Sequence, residues 1–464
     1  MAELKVSKCW FFIIALWLGA CRPSTGAPGL TAEQVSSDLG QLRSELERYH
    51  PGYDWYTSLE SLTDQFDEAI ENAQTADDLT FFRLVRKLVA QVRCGHTRAS
   101  MPEAQRLALE SHVRFLPVSI TFAEKAACIK GASQNSHGLE VGDQIVAISG
   151  RPVSEIVSKI FDHLSADGFN ETLKYQLTAR NFSYFFSLFV DSTVDQYQVA
   201  LMRKDIRFSV ELSGVSIHEL LKINAQSRPD KVLELTENQE HHYLRISSFG
   251  SSTINQSGQD YYDFLSESFE EISESPKPLI LDLRGNGGGD DLYGAKLISY
   301  LVDRPFRYFD KIEVTDAYSG YGTIQKTQGT RLMTSHDGLN VQQPSVKAFS
   351  DPLYVLIDGL SFSTCADVAS VLKANKRGIM IGEETGGGSG GNTSGNSKSI
   401  TLRHSGIRVN VPMWKYSTAP DPYRLFGRGV MPDVEIKSTV NKLRDGEDPV
   451  LDHALSLIGQ SGGD

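Results

Sequence analysis

Apolar positions early in the chain recur at helical spacing. Leu39, Leu42, Leu46 and Tyr49 lie three or four residues apart, as do Phe81, Leu84, Val85, Leu88 and Val92, which puts each set on one helix face. The pattern predicts helices from about Thr31 to Leu109. Asp77 or Asp78 would cap the second run, because a short carboxylate accepts from the free amides of a first turn. Between roughly 113 and 215 the period shortens: VRFLPVSITF, QIVAISG and TVDQYQVALM have the β-branched and aromatic content of short strands. Residues 216–240 are polar and charged and suit a connector. Beyond 241, PLILDLRG and YVLIDG are continuous apolar runs, ADVASVLKAN has a helical period, and GIMIGEETGGG again runs from strand into glycine. Alternating strands and helices predict an α/β layer of parallel strands, with functional loops at their carboxyl ends.

A chain of 464 residues holds two or three domains. The fold class expected is multidomain α/β, with a helical domain at 31–110, a small β domain at 111–215, a connector at 216–240 and an α/β core at 241–464. Within the second, GLEVGDQIVAISGRPV resembles the ligand-groove region of PDZ domains, where Gly142-Asp143 turns into a strand. That resemblance implies a groove between an edge strand and a helix that takes an extended peptide by strand addition. At the N-terminus, Lys5 and Lys8 precede an apolar stretch, Cys9 to Leu18, that closes in Leu18-Gly19-Ala20-Cys21. The stretch is short for a bilayer span and resembles a bacterial lipoprotein signal. Residues 1–21 would direct export, Cys21 would carry the lipid, and 22–30 would form a tether. The expected location is the bacterial cell envelope, facing periplasm or exterior, held to the membrane by this anchor.

Composition narrows the chemistry. Hydrophobic residues make up 40% and charged residues 22% of the chain, an ordinary globular mixture. A formal net charge of −12 argues against nucleic acid as a partner, since phosphate-backbone binding needs clustered cations. With Cys9 in the removed signal and Cys21 lipidated, Cys94, Cys128 and Cys365 remain, an odd number that implies no disulfide framework. CxxC and HExxH are both missing, and the adjacent His241-His242 cannot place two rings on one helix face. No metal or cofactor is expected.

Two apolar strands end in loops suited to catalysis. Leu279–Asp282 runs into Arg284-Gly-Asn-Gly-Gly-Gly289, and Tyr354–Ile357 runs into Asp358-Gly-Leu-Ser-Phe-Ser363-Thr-Cys-Ala-Asp, which leads directly into a helix. A hydroxyl at a strand-to-helix turn stands beside free amides that can stabilise an oxyanion. The order LDLRGNGGG, DGLSFSTCADVASVLK, IGEETGGG and GRGVMPDVEI resembles the motifs of the tail-specific/C-terminal processing and tricorn-core serine peptidases. With the PDZ-like segment, the resemblance spans most of 31–440 and implies a protease core of the ClpP/crotonase-like type acting on peptide or protein substrates.

Carried over residue by residue, the resemblance puts the nucleophile at Ser363, with Ser361 as competitor. The same residue could instead serve as the N-cap of the following helix. The processing branch uses a lysine where this chain has Gly388, so a Ser-Lys dyad is not implied. The tricorn-like branch takes a histidine from the end of the helical domain, which corresponds to His96 in Arg93-Cys94-Gly95-His96-Thr97. Two features depart from that branch: Gly95 replaces its helper serine, and Phe426 stands where its acid precedes the Gly427-Arg-Gly-Val430 run. Glu384 is the first candidate for the acid, with Glu383 and Asp421 behind it. Gly288 and Thr364 are the expected oxyanion donors. Arg284 and Asp282 are expected to anchor the glycine loop. The missing acid and serine keep open a binding protein on the same scaffold, or a hydrolase of esters or small cell-wall peptides.

Overall fold

The computed structural model describes residues 29–133, 136–225, 231–320, 322–327, 330–418 and 425–461. Cys21, the signal segment and Asp421 lie outside the described residues.

The N-terminal helices form where the apolar period placed them. Ala32–Tyr49 starts in a capping box between Thr31 and Gln34 and buries Leu39, Leu42 and Leu46. Asp77 caps Asp78–Gln91 by accepting from the Thr80 amide at 2.9 Å, and that helix buries Phe81, Val85 and Leu88. The chain then turns at Arg93, whose φ is +56°, passes through Cys94-Gly95-His96, and enters strand Arg98–Ser100. That short strand pairs antiparallel with Arg408–Thr418, with Arg98 opposite Asn410. Here the helical segment joins a sheet built otherwise from residues of the core.

The 111–215 segment is an antiparallel sheet in the order Val118–Ala123, Ala126–Ala132, Gln144–Ile148, Gln196–Arg203, Ile206–Ser213, with helices Val153–Phe161 and Thr172–Phe185. Gly142, at φ +87°, makes the predicted turn before Gln144–Ile148. One hydrophobic cluster runs from Leu39 and Phe81 through Ile129, Ile156 and Val199 to Val409 and Val411. The helical and β segments therefore share a core with each other and with the C-terminal strands.

The connector expected at 216–240 is corrected. It carries helix Ile217–Ala225 and strand Leu233–Glu237, because Leu220, Ile223 and Leu233 are apolar enough, at the right spacing, to be buried among the charges.

The core sheet runs Val434–Glu435, Ile379–Gly382, Leu353–Ile357, Leu279–Asp282, His242–Ile246, Leu233–Glu237. All neighbours are parallel except the last pair. Leu279–Asp282 and Leu353–Ile357 are fully buried, as their unbroken apolar runs require. They lie side by side with Asp282 opposite Leu356, so the glycine loop and the serine turn leave the same end of the sheet. Among the described residues no helix is long and apolar enough to cross a membrane.

Candidate active site

The serine turn is built from buried hydrogen bonds. Asp358 Oδ1 accepts from the amides of Gly285, Leu360 and Ser361 at 3.0, 2.9 and 3.0 Å. The Ser361 hydroxyl donates to the Leu283 carbonyl at 3.0 Å and is fully buried. Ser361 is thereby committed to joining the two loops. Ser363 is free of such duty. It occupies the N-cap position of helix Thr364–Ala374 without any side-chain cap bond, at φ +56° and ψ −132°. This sparsely populated conformation costs about 1–3 kcal/mol for a residue with a Cβ and is maintained only where packing enforces it. It presents the hydroxyl outward at the helix N-terminus.

His96 Nε2 lies 3.0 Å from Ser363 Oγ across 267 positions of sequence. The loop carrying it is held from several sides. Its carbonyl accepts from Asn410 Nδ2 at 3.4 Å, and the Phe362 ring stacks on the imidazole at 4.6 Å. Next door, buried His50 takes the Gly52 amide on Nδ1 at 3.1 Å, so its Nε2 donates to Thr97 Oγ1 at 2.9 Å. Burial first, then the positive charge of Arg98, pushes the His96 pKa down to about 3. An imidazole whose charged form is disfavoured in this way can accept a proton only from a close donor. For the serine hydroxyl to donate to Nε2, the ring proton must sit on Nδ1. That nitrogen is buried and has no partner among the described residues.

Glu384 does not supply one, which corrects its assignment as the orienting acid. Its carboxylate takes Arg428 in a bidentate pair at 2.9 and 2.5 Å and the Gly429 amide at 2.7 Å. The Gly-Arg-Gly-Val run supplies both donors, so Glu384 locks the C-terminal motif onto the loop after Ile379–Gly382. Glu383 bonds Gln176 at 3.3 Å. Phe426, at the position expected for an acid, packs on Tyr56 with ring centroids 5.3 Å apart.

The glycine loop approaches the serine as predicted, with one correction. A Cβ on Gly288, at φ +90°, would stand 2.7 Å from Ser363 Cβ and 2.9 Å from the Thr364 amide nitrogen, so only glycine fits. The Gly288 N–H, however, donates to Asn286 Oδ1 at 2.9 Å and is not the free donor expected. Among the described residues the amides of Gly287, Gly289 and Thr364 donate to no protein acceptor, and Gly287 and Gly289 line the cleft over Ser363. Sequence reading missed Asn286, which is fully buried and also bonds the Ile246 carbonyl at 2.9 Å. Its place between glycines was the available signal. Asp282 and Arg284 anchor the loop: Arg284 bonds Asp282 Oδ2 and Asp448 Oδ1, each at 2.7 Å. Burial works to raise the Asp282 carboxyl, and the arginine contacts outweigh it and hold the group below its ordinary value.

The cleft has a volume of about 430 Å³ and is lined by His96, Arg98, Asp291, Ser363, Asn410 and Tyr416 among others. Among the described residues one set of mixed donors lies close enough together for a metal ion: Cys94, His96 and Asp167, within 4.8 Å of one another. Two of the three are already engaged. The Cys94 thiol donates to the Thr393 carbonyl at 3.3 Å, and the Asp167 oxygens accept from the amides of Gly95 at 2.7 Å and Gly388 at 3.4 Å. This set reads as a polar scaffold behind the histidine.

A serine on a strained strand-to-helix turn, a histidine at hydrogen-bond distance and unpaired amides beside them form the arrangement that a nucleophilic hydrolase uses, here on an α/β scaffold. Residues 241–436 match the model of peptidase family S41, so the family resemblance drawn from the motifs holds for the core of the chain. The chain is 29% identical over 199 residues to the chloroplastic C-terminal processing peptidase of Tetradesmus obliquus, covering 43% of this chain and 35% of that protein. It is 24% identical over 309 residues to the chloroplastic carboxyl-terminal-processing peptidase 3 of Arabidopsis thaliana, covering 67% of this chain and 49% of that one. The matches thus span between about a third and a half of these relatives' length. In overall fold the chain is similar to mature CPAF complexed with lactacystin, with a TM-score of 0.67 at 15% identity, over 92% of this chain and 98% of that one.

Proposed function

We propose that the protein is a serine peptidase that cleaves peptide bonds through an acyl-enzyme on Ser363. The contact of 3.0 Å between His96 Nε2 and Ser363 Oγ carries this reading. Ser363 Oγ attacks the peptide carbonyl carbon as its proton passes to His96 Nε2. The Thr364 amide and a glycine-loop amide, Gly287 or Gly289, stabilise the oxyanion. His96 then protonates the departing amine, and water, deprotonated by the same nitrogen, releases the acyl group. The base comes from a segment distant in sequence, tied to the core where Arg98–Ser100 pairs with Arg408–Asn410.

The substrate proposed is an extended peptide or protein segment. A groove of about 670 Å³ supports this reading: Phe122 on the edge strand Val118–Ala123 faces Val153, Val157 and Phe161 of the following helix, with Lys125 and Lys174 among its lining residues. It is the arrangement expected of a PDZ-like peptide site. Labelling with a fluorophosphonate followed by peptide mass spectrometry tests the reading. Modification at Ser363 is expected. Well-folded protein that stays unlabelled would instead favour a binding protein on this scaffold, a reading the unpartnered Nδ1 keeps alive.

The envelope location and lipid anchor are proposed from the Lys5-to-Cys21 segment. A Cys21→Ser variant made in a bacterial host is expected to leave the membrane fraction and lose incorporation of labelled palmitate; unchanged partition would remove the anchor.

A further inference from the structure

The chemistry proposed for Ser363 leaves an imbalance. Proton transfer to Nε2 creates an imidazolium whose Nδ1–H points into the protein, yet this nitrogen has no partner among the described residues. The fixed charge that acts most on His96 is Arg98, which repels the imidazolium. A buried cation formed under such conditions needs a nearby negative charge.

Resting on that Ser363–His96 reading, we propose that Asp167 is the positioning acid of the site, supplying the negative charge behind His96 that Glu384 does not. Asp167 lies in the loop Ser165–Phe169 between two helices, outside every motif of the sequence, and is 2% exposed. One of its carboxylate oxygens lies within 4.8 Å of a ring nitrogen of His96, a range at which a poorly screened charge still acts through space. Its Oδ1 takes the Gly95 amide at 2.7 Å, fixing the residue that precedes His96, and its Oδ2 takes the Gly388 amide at 3.4 Å. Asp167 thus ties the histidine loop to the loop beside the nucleophile. Gly95 is part of the same device: a Cβ there would meet Phe362 at 2.7 Å and Asp167 Oδ1 at 3.3 Å, closing the space the carboxylate occupies.

The groups that face Asp167 and His96 are Cys94 and Arg98 on the histidine segment, His50 after the first helix, and Asp367 on the helix that follows Ser363. Burial pushes the Asp167 pKa up to about 6, whereas His96 is neutral well below that. Loss of activity on acidification therefore tracks protonation of Asp167, and activity rises as its charge appears.

The test compares full-length parent and Asp167→Asn, which keeps an acceptor for Gly95 and removes the charge. The rate constant for fluorophosphonate labelling at Ser363 is measured from pH 4.5 to 8, with the thermal midpoint as a control on folding. The parent is expected to show an acid limb near pH 6. The variant is expected to label about 10²-fold or more slowly and to lose that limb. A variant that labels as fast as the parent overturns the role of Asp167 and leaves the Ser363–His96 centre standing; a parent that does not label overturns both. A slower variant with the limb unmoved assigns Asp167 to loop-holding alone and overturns its electrostatic role. A further measurement needs no variant at Asp167: the ¹⁵N shifts of His96 in the parent, assigned against His96→Gln, must move with a midpoint near pH 6, and flat shifts overturn the proposal. Inhibition of the parent by micromolar zinc that Cys94→Ser relieves would also overturn it, by making the cluster a metal site.

Discussion

Replacing Ser363 by alanine is expected to reduce peptide cleavage by on the order of 10⁴–10⁶-fold, the loss seen when the nucleophile of a coupled serine–histidine pair is removed, and to abolish fluorophosphonate labelling. Folding should survive, because the hydroxyl caps nothing and bonds only His96 among the described residues. The backbone at φ +56° and ψ −132° adds a second expectation. Alanine keeps the Cβ and hence the strain of about 1–3 kcal/mol. Glycine removes that strain at an unfolded-state entropy cost of about 0.5–1 kcal/mol. Ser363→Gly should therefore be as inactive as Ser363→Ala but more stable by about 1 kcal/mol in denaturant unfolding. An active Ser363→Ala protein would refute the nucleophile. A Ser363→Gly protein less stable than the alanine variant would show that the turn is not strained.

The other large effect is expected at Gly288. An alanine there must place its Cβ 2.7 Å from both the Phe362 carbonyl oxygen and Ser363 Cβ, at a φ of +90°, so the glycine loop must retreat from the nucleophile. The amides of Gly287 and Gly289 move with it. Acylation is expected to fall about 10²–10³-fold, the scale of losing an oxyanion donor, with binding in the groove under Val153–Phe161, which the glycine loop does not line, unaffected. Burst kinetics on an ester substrate would separate the two. A drop in affinity with unchanged acylation would place the loop in substrate binding and exclude it from the oxyanion site.

The elements most legible in the sequence were those whose cause is local. Asp77 caps its helix because a carboxylate followed by an amphipathic run leaves little else for it to do. Leu279–Asp282 and Leu353–Ile357 are buried strands because their apolar runs are too continuous for a one-sided sheet. The serine and histidine were found through short motifs in a fixed order, and the fold brings them to 3.0 Å. Glu384 shows where such reading stops. Its carboxylate was visible in the sequence, but its partner depended on which cation folding would bring to it, and Arg428 arrives from 44 positions away.

The sequence alone therefore determined the strand and helix periods, the Asp77 cap and the glycine-rich turns that follow the buried strands. These follow from backbone sterics and side-chain chemistry that act within a few residues. The tertiary structure decided the rest. It recruited strand Arg98–Ser100 into a sheet of the core, drew Leu233–Glu237 out of a charged segment to extend the parallel sheet, committed the Gly288 amide to Asn286, and buried Asp167 behind His96. Each of these depends on which distant groups share a low-dielectric interior, where an unpaired amide or charge costs far more than in water. Proximity along the chain does not report that property.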